Sequence, residues 1–264
     1  MVDNNSKVDF GLTADDYAKH RAGFPDSFFD RLAARGVGWP GQVIVDLGTG
    51  TGTLARGFAQ RGCAVIAIDP AEAMLEQARH LDKDVDVRVD YRVATAENTG
   101  LPDGCADVVT AGQCWHWFDR QAAAREARRV LRPHGVAVIA HFDWIPLIDN
   151  VVEATEKLIL THNPDWKLAG GSGLYPLWLR DLGEAGFRGI ETFSYDLDVP
   201  YSHEDWCGRI RASAGVGASM TPQQVEVFDH DLKTLLQRSF PEQPLRVHHR
   251  IFAVIARSRH PGSW

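Results

Sequence analysis

The chain has 264 residues, 44% of them hydrophobic and 24% charged, with a net charge of −7. That composition matches an ordinary globular protein, and no apolar run is long enough for a membrane-spanning helix. The acidic balance also disfavours a broad nucleic-acid surface, where phosphate contacts dominate affinity. The opening MVDNNSKVDF has neither the basic start nor the apolar core of a secretory leader, so a cytoplasmic protein is expected. Cys63, Cys105, Cys114 and Cys207 are scattered without a C-x-x-C pair, which predicts reduced, mostly buried thiols and neither a disulfide framework nor a zinc site. The densest basic run, REARRVLR over Arg125 to Arg132, reads as a solvated helix face.

Residues 14 to 36 place apolar side chains at helical spacing on both sides of Pro25, predicting two helices with a break. QVIVDLGTGTG is then a short apolar strand ending in a glycine turn, and TLARGFAQRG continues as a helix stopped at Gly62. CAVIAIDP, AEAMLEQARHL and VDYRVATAE repeat the unit as strand, helix and strand. ADVVTAGQ is a fourth strand, AAAREARRVL a helix closed by Arg132-Pro133-His134-Gly135, and GVAVIAHF a fifth strand. Strands alternating with helices of this length predict a doubly wound α/β fold with a mostly parallel sheet.

After Phe142 the rhythm breaks. Residues 144 to 173 carry prolines and a Gly170-Gly171-Ser172-Gly173 turn around one helical stretch, VVEATEKLIL. PLWLRDLGEAGF and RGIETFSYDL restore a helix and a strand, a mainly helical insertion runs from about Tyr201 to Phe240, and VHHRIFAVIARS is a last, antiparallel strand. The two insertions are expected to select whatever the protein acts on. His248 and His249 are neighbours in that strand and face opposite sides, so no metal site is expected there.

The turn Gly48-Thr49-Gly50-Thr51-Gly52 lies where a buried strand passes into a helix, and glycines there let the backbone approach a small molecule. Gly50, Gly52 and Ala55 also fit the dinucleotide pattern, so a nicotinamide-dependent oxidoreductase is a rival. Asp46, two residues before the first glycine, would repel a pyrophosphate and welcome a cationic ligand. Asp69 ends the second strand, where an acid can accept both hydroxyls of a ribose.

VDLGTGTG, the acid in AIDP, ATAENTGLP and DVVTAGQCWHWFD followed by EARRVLRPHG together resemble class I S-adenosylmethionine-dependent methyltransferases, and most closely the trans-aconitate methyltransferase-like, small-molecule group. The helical start YAKHRAGFP resembles the same group. The similarity covers residues 14 to 141 well and the rest weakly.

The resemblance implies a Rossmann-like fold with a seven-stranded sheet, and S-adenosylmethionine as cofactor with S-adenosylhomocysteine as product. It implies that Asp46 engages the methionine ammonium through water, that Gly48, Thr49 and Gly50 admit its amino-acid end, and that Asp69 holds the ribose. Pro70 or Met74 would lie beside the adenine, with Ala96 and Glu97 at its edge. Tyr17 and Arg21, four apart and so on one helical face, would close over the cofactor carboxylate. Gln113 would face the sulfonium and the acceptor, and His116, Trp117 and Trp144 would contact the acceptor. Parallel-sheet ligands bind at the carboxyl ends of the strands, which independently favours Gln113, His116 and Trp117.

The domain organisation that follows is a single methyltransferase domain over 1–264. It comprises a helical cap (1–38), a cofactor-binding core (39–143), a lid insertion (144–173), a core helix and strand (174–198), a helical insertion (199–243), and the last strand and tail (244–264).

A sulfonium is an already activated methyl donor, so alignment and exclusion of water carry most of the catalysis, and a general base is optional. For a phenol or protonated amine His116 is the candidate base; a carboxylate acceptor needs none. Trp115, Trp117, Trp144, Trp166 and Trp178 suggest an aromatic acceptor pocket, each also being a candidate core residue. The expected partner is a small aromatic or apolar acceptor, with no nucleic acid and no membrane, and the protein is expected as a monomer or homodimer. Besides the oxidoreductase, the alternatives are an RNA or protein methyltransferase on the same core and a non-catalytic S-adenosylmethionine-binding subunit.

Overall fold

The computed structural model describes residues 23–258. In chain order these form α1 (Asp26–Ala33), β1 (Val43–Leu47), α2 (Thr53–Ala59), β2 (Ala64–Asp69), α3 (Glu72–Lys83), β3 (Asp90–Val93) and β4 (Ala106–Gly112). A short 3-10 turn (Trp115–Trp117), α4 (Arg120–Val130), β5 (Leu131–Trp144), α5 (Val151–His162), α6 (Leu177–Glu184), β6 (Arg188–Tyr201), α7 (His203–Arg211), α8 (Pro222–Ser239) and β7 (Leu245–Arg257) follow. The first helix expected before Pro25, with Tyr17 and Arg21, lies outside the described residues.

The seven strands form one sheet in the order β3-β2-β1-β4-β5-β7-β6. β1, β2, β3, β4 and β5 pair in parallel. β7 runs antiparallel to β5: the Ser258 amide bonds the Gly135 carbonyl at 2.9 Å and the Ile145 amide bonds the His248 carbonyl at 2.8 Å, so one position advances as the other retreats. The expected doubly wound, mostly parallel sheet with an antiparallel last strand is therefore present. β1 and β4 are adjacent although β2 and β3 intervene in sequence, so the strand order reverses between them, and the crevice beyond their carboxyl ends is the place where such sheets bind ligands.

Apolar burial explains why these segments are strands. Ile44, Val45 and Leu47 of β1 and Val108, Val109 and Ala111 of β4 are all buried, the pattern of a parallel strand covered on both faces. α4 starts where the Asp119 side chain accepts the Ala122 amide at 3.0 Å, and its Ala123, Ala124, Ala127 and Val130 face the core.

Two expected boundaries are corrected. Arg132-Pro133-His134-Gly135 does not close the helix as a loop; these residues begin β5, whose pairing with β4 shifts register between Ala106 and Val108 while His134 takes a left-handed φ of 65°. The extra residues are absorbed as a bulge, which hides the strand from a simple apolar pattern. The third strand is only Asp90–Val93, a largely exposed edge strand, and not the longer VDYRVATAE.

The described residues divide into two compact units. A sheet unit comprises 23–142, 173–195 and 251–258, and a helical unit comprises 143–172 and 196–250, with the divisions falling inside β5, β6 and β7. The sheet unit has a core built on Leu47, Ile68, Val109, Trp115, Ile139, Trp178 and Phe187. In the helical unit, Trp206, Ile210, Phe228, Leu232 and Leu236 from α7 and α8 pack with Val152 and Ile159 of α5. No helix among the described residues is long and apolar enough to cross a membrane.

Candidate active site

The glycine turn between β1 and α2 is held open by its backbone. Gly48, Gly50 and Gly52 have φ of 59°, 56° and 78°, the left-handed region that costs other residues energy. A Cβ on Gly48 would come within 2.8 Å of the Phe118 ring and 3.0 Å of Cys114, so the turn fits closely over the segment that follows β4. The Cys114 thiol in turn donates to the Leu47 carbonyl at 3.1 Å.

Two carboxylates flank the turn. Asp46, 1% exposed, accepts from the Thr49 hydroxyl at 2.6 Å on one oxygen and from the Thr110 hydroxyl at 2.6 Å on the other. Asp46 and Thr110 are register partners on the parallel strands β1 and β4, which is why their side chains meet. Burial is the largest influence on the Asp46 carboxyl and pushes it up to about 6, the two hydroxyls opposing and the nearby charge of Asp69 adding. Asp69, at the end of β2, accepts the Gly50 amide at 2.8 Å and the Ala71 amide at 2.9 Å. Burial raises its carboxyl as well, opposed by those two amides. Arg56, which bonds the Thr51 carbonyl at 2.9 Å, is neutralised by Asp82 at 2.8 Å.

The other expected residues group as follows. Met74 and Ala96 are buried, Pro70 is exposed, and the Met74 methyl lies 3.4 Å from where a Cβ of Gly50 would be. Glu97 accepts the Asp119 amide at 3.0 Å, which gives it a local role at the start of α4. Asp119 turns to the Ala122 amide as the helix cap. Gln113, just beyond β4, adopts a φ of 63°, uncommon for a residue with a side chain and frequent at functional positions, while its amide bonds the Ala140 carbonyl at 2.8 Å.

His116 stands in a group of rings: its centroid is 4.6 Å from Trp117 and 5.3 Å from His141. His141 is 4.8 Å from Tyr175, which stacks on Trp178 at 4.1 Å. Trp115 and Trp178 are core residues of the sheet unit, and the Trp115 indole donates to Asp181 at 3.1 Å. Trp144 and Trp166 belong to the helical unit, where the Trp144 indole donates to Glu156 at 2.9 Å and the Arg209 guanidinium lies 4.5 Å over its ring. The five tryptophans are therefore divided between the units. His249 is buried, and burial lowers its imidazole to about 4, while His248 is partly exposed and meets Asp196 and Asp198.

Sequence reasoning missed Thr110 and His141. Thr110 is a polar residue in the apolar run ADVVTAG, and aligning that strand beside VIVDL places it opposite Asp46. His141 closes the apolar run VAVIAH at the carboxyl side of the sheet, where polar residues are worth notice.

Two buried carboxylates around an open glycine turn fit a ligand with a positive charge and a ribose better than one with a pyrophosphate. Comparison with known proteins agrees. A family model described as a methyltransferase domain matches residues 45–139. A malonyl-[acyl-carrier protein] O-methyltransferase of Geobacter sulfurreducens is 32% identical over 213 residues, covering 77% of this chain and 76% of that protein. The chain belongs to the class I S-adenosylmethionine-dependent methyltransferases. An uncharacterized methyltransferase of Mycobacterium tuberculosis is 37% identical over 129 residues, covering 48% of this chain and 49% of that one, so the match spans about half the length of that curated relative. Among solved structures, the YcgJ protein of Bacillus subtilis shares the fold, with a TM-score of 0.58 at 18% identity over 89% of this chain and all of that one. The methyltransferase signature matches 45–139, within the sheet unit, and the trans-aconitate subgroup is not singled out by these relatives.

Proposed function

We propose that this protein transfers the methyl group of S-adenosylmethionine to an oxygen, nitrogen or carbon nucleophile of a small aromatic or apolar acceptor, releasing S-adenosylhomocysteine. The observation that supports it most is the pair of buried acids, Asp46 and Asp69, on either side of a glycine turn with three left-handed residues. When bound, S-adenosylmethionine supplies a methyl group already activated by a positively charged sulfur. Asp69 would accept the ribose hydroxyls on lone pairs that the Gly50 and Ala71 amides leave over. Asp46 would offer negative charge to the ammonium, Gly48, Thr49 and Gly50 would admit the amino-acid end, and Met74, Pro70, Ala96 and Glu97 would border the adenine. Gln113, His116 and Trp117 would line the reaction centre, with Tyr17 and Arg21 closing over the cofactor carboxylate. Trp144 and the segments 144–173 and 201–240 would choose the acceptor.

His116 would take the proton from a phenol or amine acceptor, imidazole being the side chain that ordinarily exchanges protons near neutral pH. A second reading, an acyl group presented by a carrier protein, draws support from the Geobacter relative. The test is S-adenosylhomocysteine formation over a panel of phenols, amines, carboxylic acids and malonyl-carrier protein, with wild type and His116→Gln. The substitution should lower kcat at least tenfold for phenols and amines, leave carboxylates nearly unchanged, and leave S-adenosylhomocysteine affinity intact. Equal losses for every acceptor class would remove His116 from the role of base.

A further inference from the structure

Among the described residues, the groups around Asp46 come from four elements, α2, β2, β3 and β4, and from the glycine turn. Thr49 and Thr110 donate to its two oxygens, the Ala55 amide reaches it from the first turn of α2, and among the described residues the charge that acts on it is that of Asp69 from β2, while its own charge acts on the Tyr91 hydroxyl of β3. Thr110 is fully buried and Thr49 is 8% exposed, so water does not screen the site. Asp69 meets the same turn through the Gly50 amide. Two like charges buried on either side of one short turn are costly to keep ionised together, and a cation between them relieves that cost.

We propose that Thr110 is a positioning residue for the cofactor: with Thr49 it fixes the Asp46 carboxyl beneath the glycine turn, so that binding of the cofactor's ammonium is coupled to loss of a proton from Asp46. This rests on the reading of the turn as the S-adenosylmethionine site. The bond that breaks is the carboxyl O–H, the proton passes to the buffer, and the carboxylate left behind is stabilised by the hydroxyls of Thr49 and Thr110 and by the bound cation. In the free protein burial holds the carboxyl near 6, and the Thr110 hydroxyl is the strongest influence pulling it down. Replacing Thr110 by valine preserves shape and removes that donor, so the proton is held more tightly and the cofactor has to displace it at higher pH.

The experiment is calorimetric titration of S-adenosylhomocysteine, which carries the same ammonium, into wild type, Thr110→Ser and Thr110→Val from pH 5 to 7.5 in two buffers of different ionisation enthalpy. Wild type should bind about tenfold more weakly at pH 5 than at pH 7.5, the span one such group allows, and release about half a proton per ligand near pH 6. Thr110→Val should move the midpoint upward and weaken binding several-fold at pH 7, and Thr110→Ser should restore both. A titrating histidine would give a midpoint indifferent to Thr110. Affinity that is flat with pH, or a midpoint that the valine leaves in place, overturns the proposal and spares the cofactor reading; no binding by wild type at pH 7.5 overturns both. Should thermal unfolding show that the valine variant does not fold, Thr110→Ala takes its place with the same expected upward midpoint, and an unmoved midpoint overturns the proposal.

Discussion

Asp46 is a charge the fold carries at a loss until a ligand compensates it. Its ordinary value is 3.8 and its value here is about 6, so between those pH values the folded protein keeps a proton that the unfolded chain has released. Stability therefore falls as pH rises through that window, and above it the ionised carboxylate costs up to about 3 kcal/mol at roughly 1.4 kcal/mol per pH unit. Asp46→Asn removes the charge, and one threonine hydroxyl then faces an amide nitrogen and must turn to act as acceptor, giving back about 1 kcal/mol. The variant is expected to unfold roughly 2–4 °C higher than wild type at pH 7.5 without ligand, and to bind S-adenosylhomocysteine at least tenfold more weakly with no pH dependence from this site. A lower melting temperature would show that the two hydroxyl bonds outweigh the buried charge. Gly48, Gly50, Asp46 and Asp69 were legible because strand-glycine-helix punctuation is local. Thr110 was not, because its meaning depends on which strand lies beside β1, a fact of topology that no local pattern records.

At the scale of elements, the segment after β3 is tied to α4 by Glu126. One of its oxygens accepts the Thr99 amide at 2.9 Å and the Thr99 hydroxyl at 2.6 Å, and Arg129 lies 2.7 Å from both oxygens. The Arg129 guanidinium is the largest cause holding the Glu126 carboxyl down at about 2, below its ordinary 4.5. The stabilisation is thus fully present above pH 4.5 and lost as pH falls toward 2. Glu126→Gln should cost about 1–3 kcal/mol at pH 7 by urea unfolding, with the difference from wild type shrinking below pH 4. A pH-independent difference would assign the effect to packing. Within the basic run, Arg129 also meets Asp103 at 2.6 Å and Arg132 meets Asp107 at 2.5 Å, while Arg125 and Arg128 stay on the exposed face expected for the helix. Most strands and helices were readable as apolar runs cut by glycine and proline. The start of β5 was not, because a bulge through Arg132-Pro133-His134-Gly135 looks like a turn when its partner strand is unseen.

At the scale of the molecule, the βα rhythm up to Phe142 and the antiparallel last strand were both visible, since each follows from apolar runs of strand length. What the sequence left open was the grouping of the inserted segments. Residues 144–173 and 201–240 fall almost wholly in the helical unit, whose core is built by apolar faces of α5, α7 and α8 far apart in sequence. Tryptophans read as one cluster are accordingly shared between two units, because nearness along the chain does not decide which core a residue joins. The residues matched by the family model, 45–139, belong to the sheet unit, and acceptor choice would reside in the part where the sequence offers only composition.

The glycine turn with Asp46 and Asp69 is proposed to hold S-adenosylmethionine. The most direct measurement is a calorimetric titration of the purified protein at pH 7.5 with S-adenosylmethionine, S-adenosylhomocysteine and NADH, repeated with Asp69→Ala. Saturable binding of both sulfur compounds, weakened more than tenfold by the substitution, with no binding of NADH, is the predicted result. Binding of NADH alone would make the turn a dinucleotide site and the protein no methyltransferase.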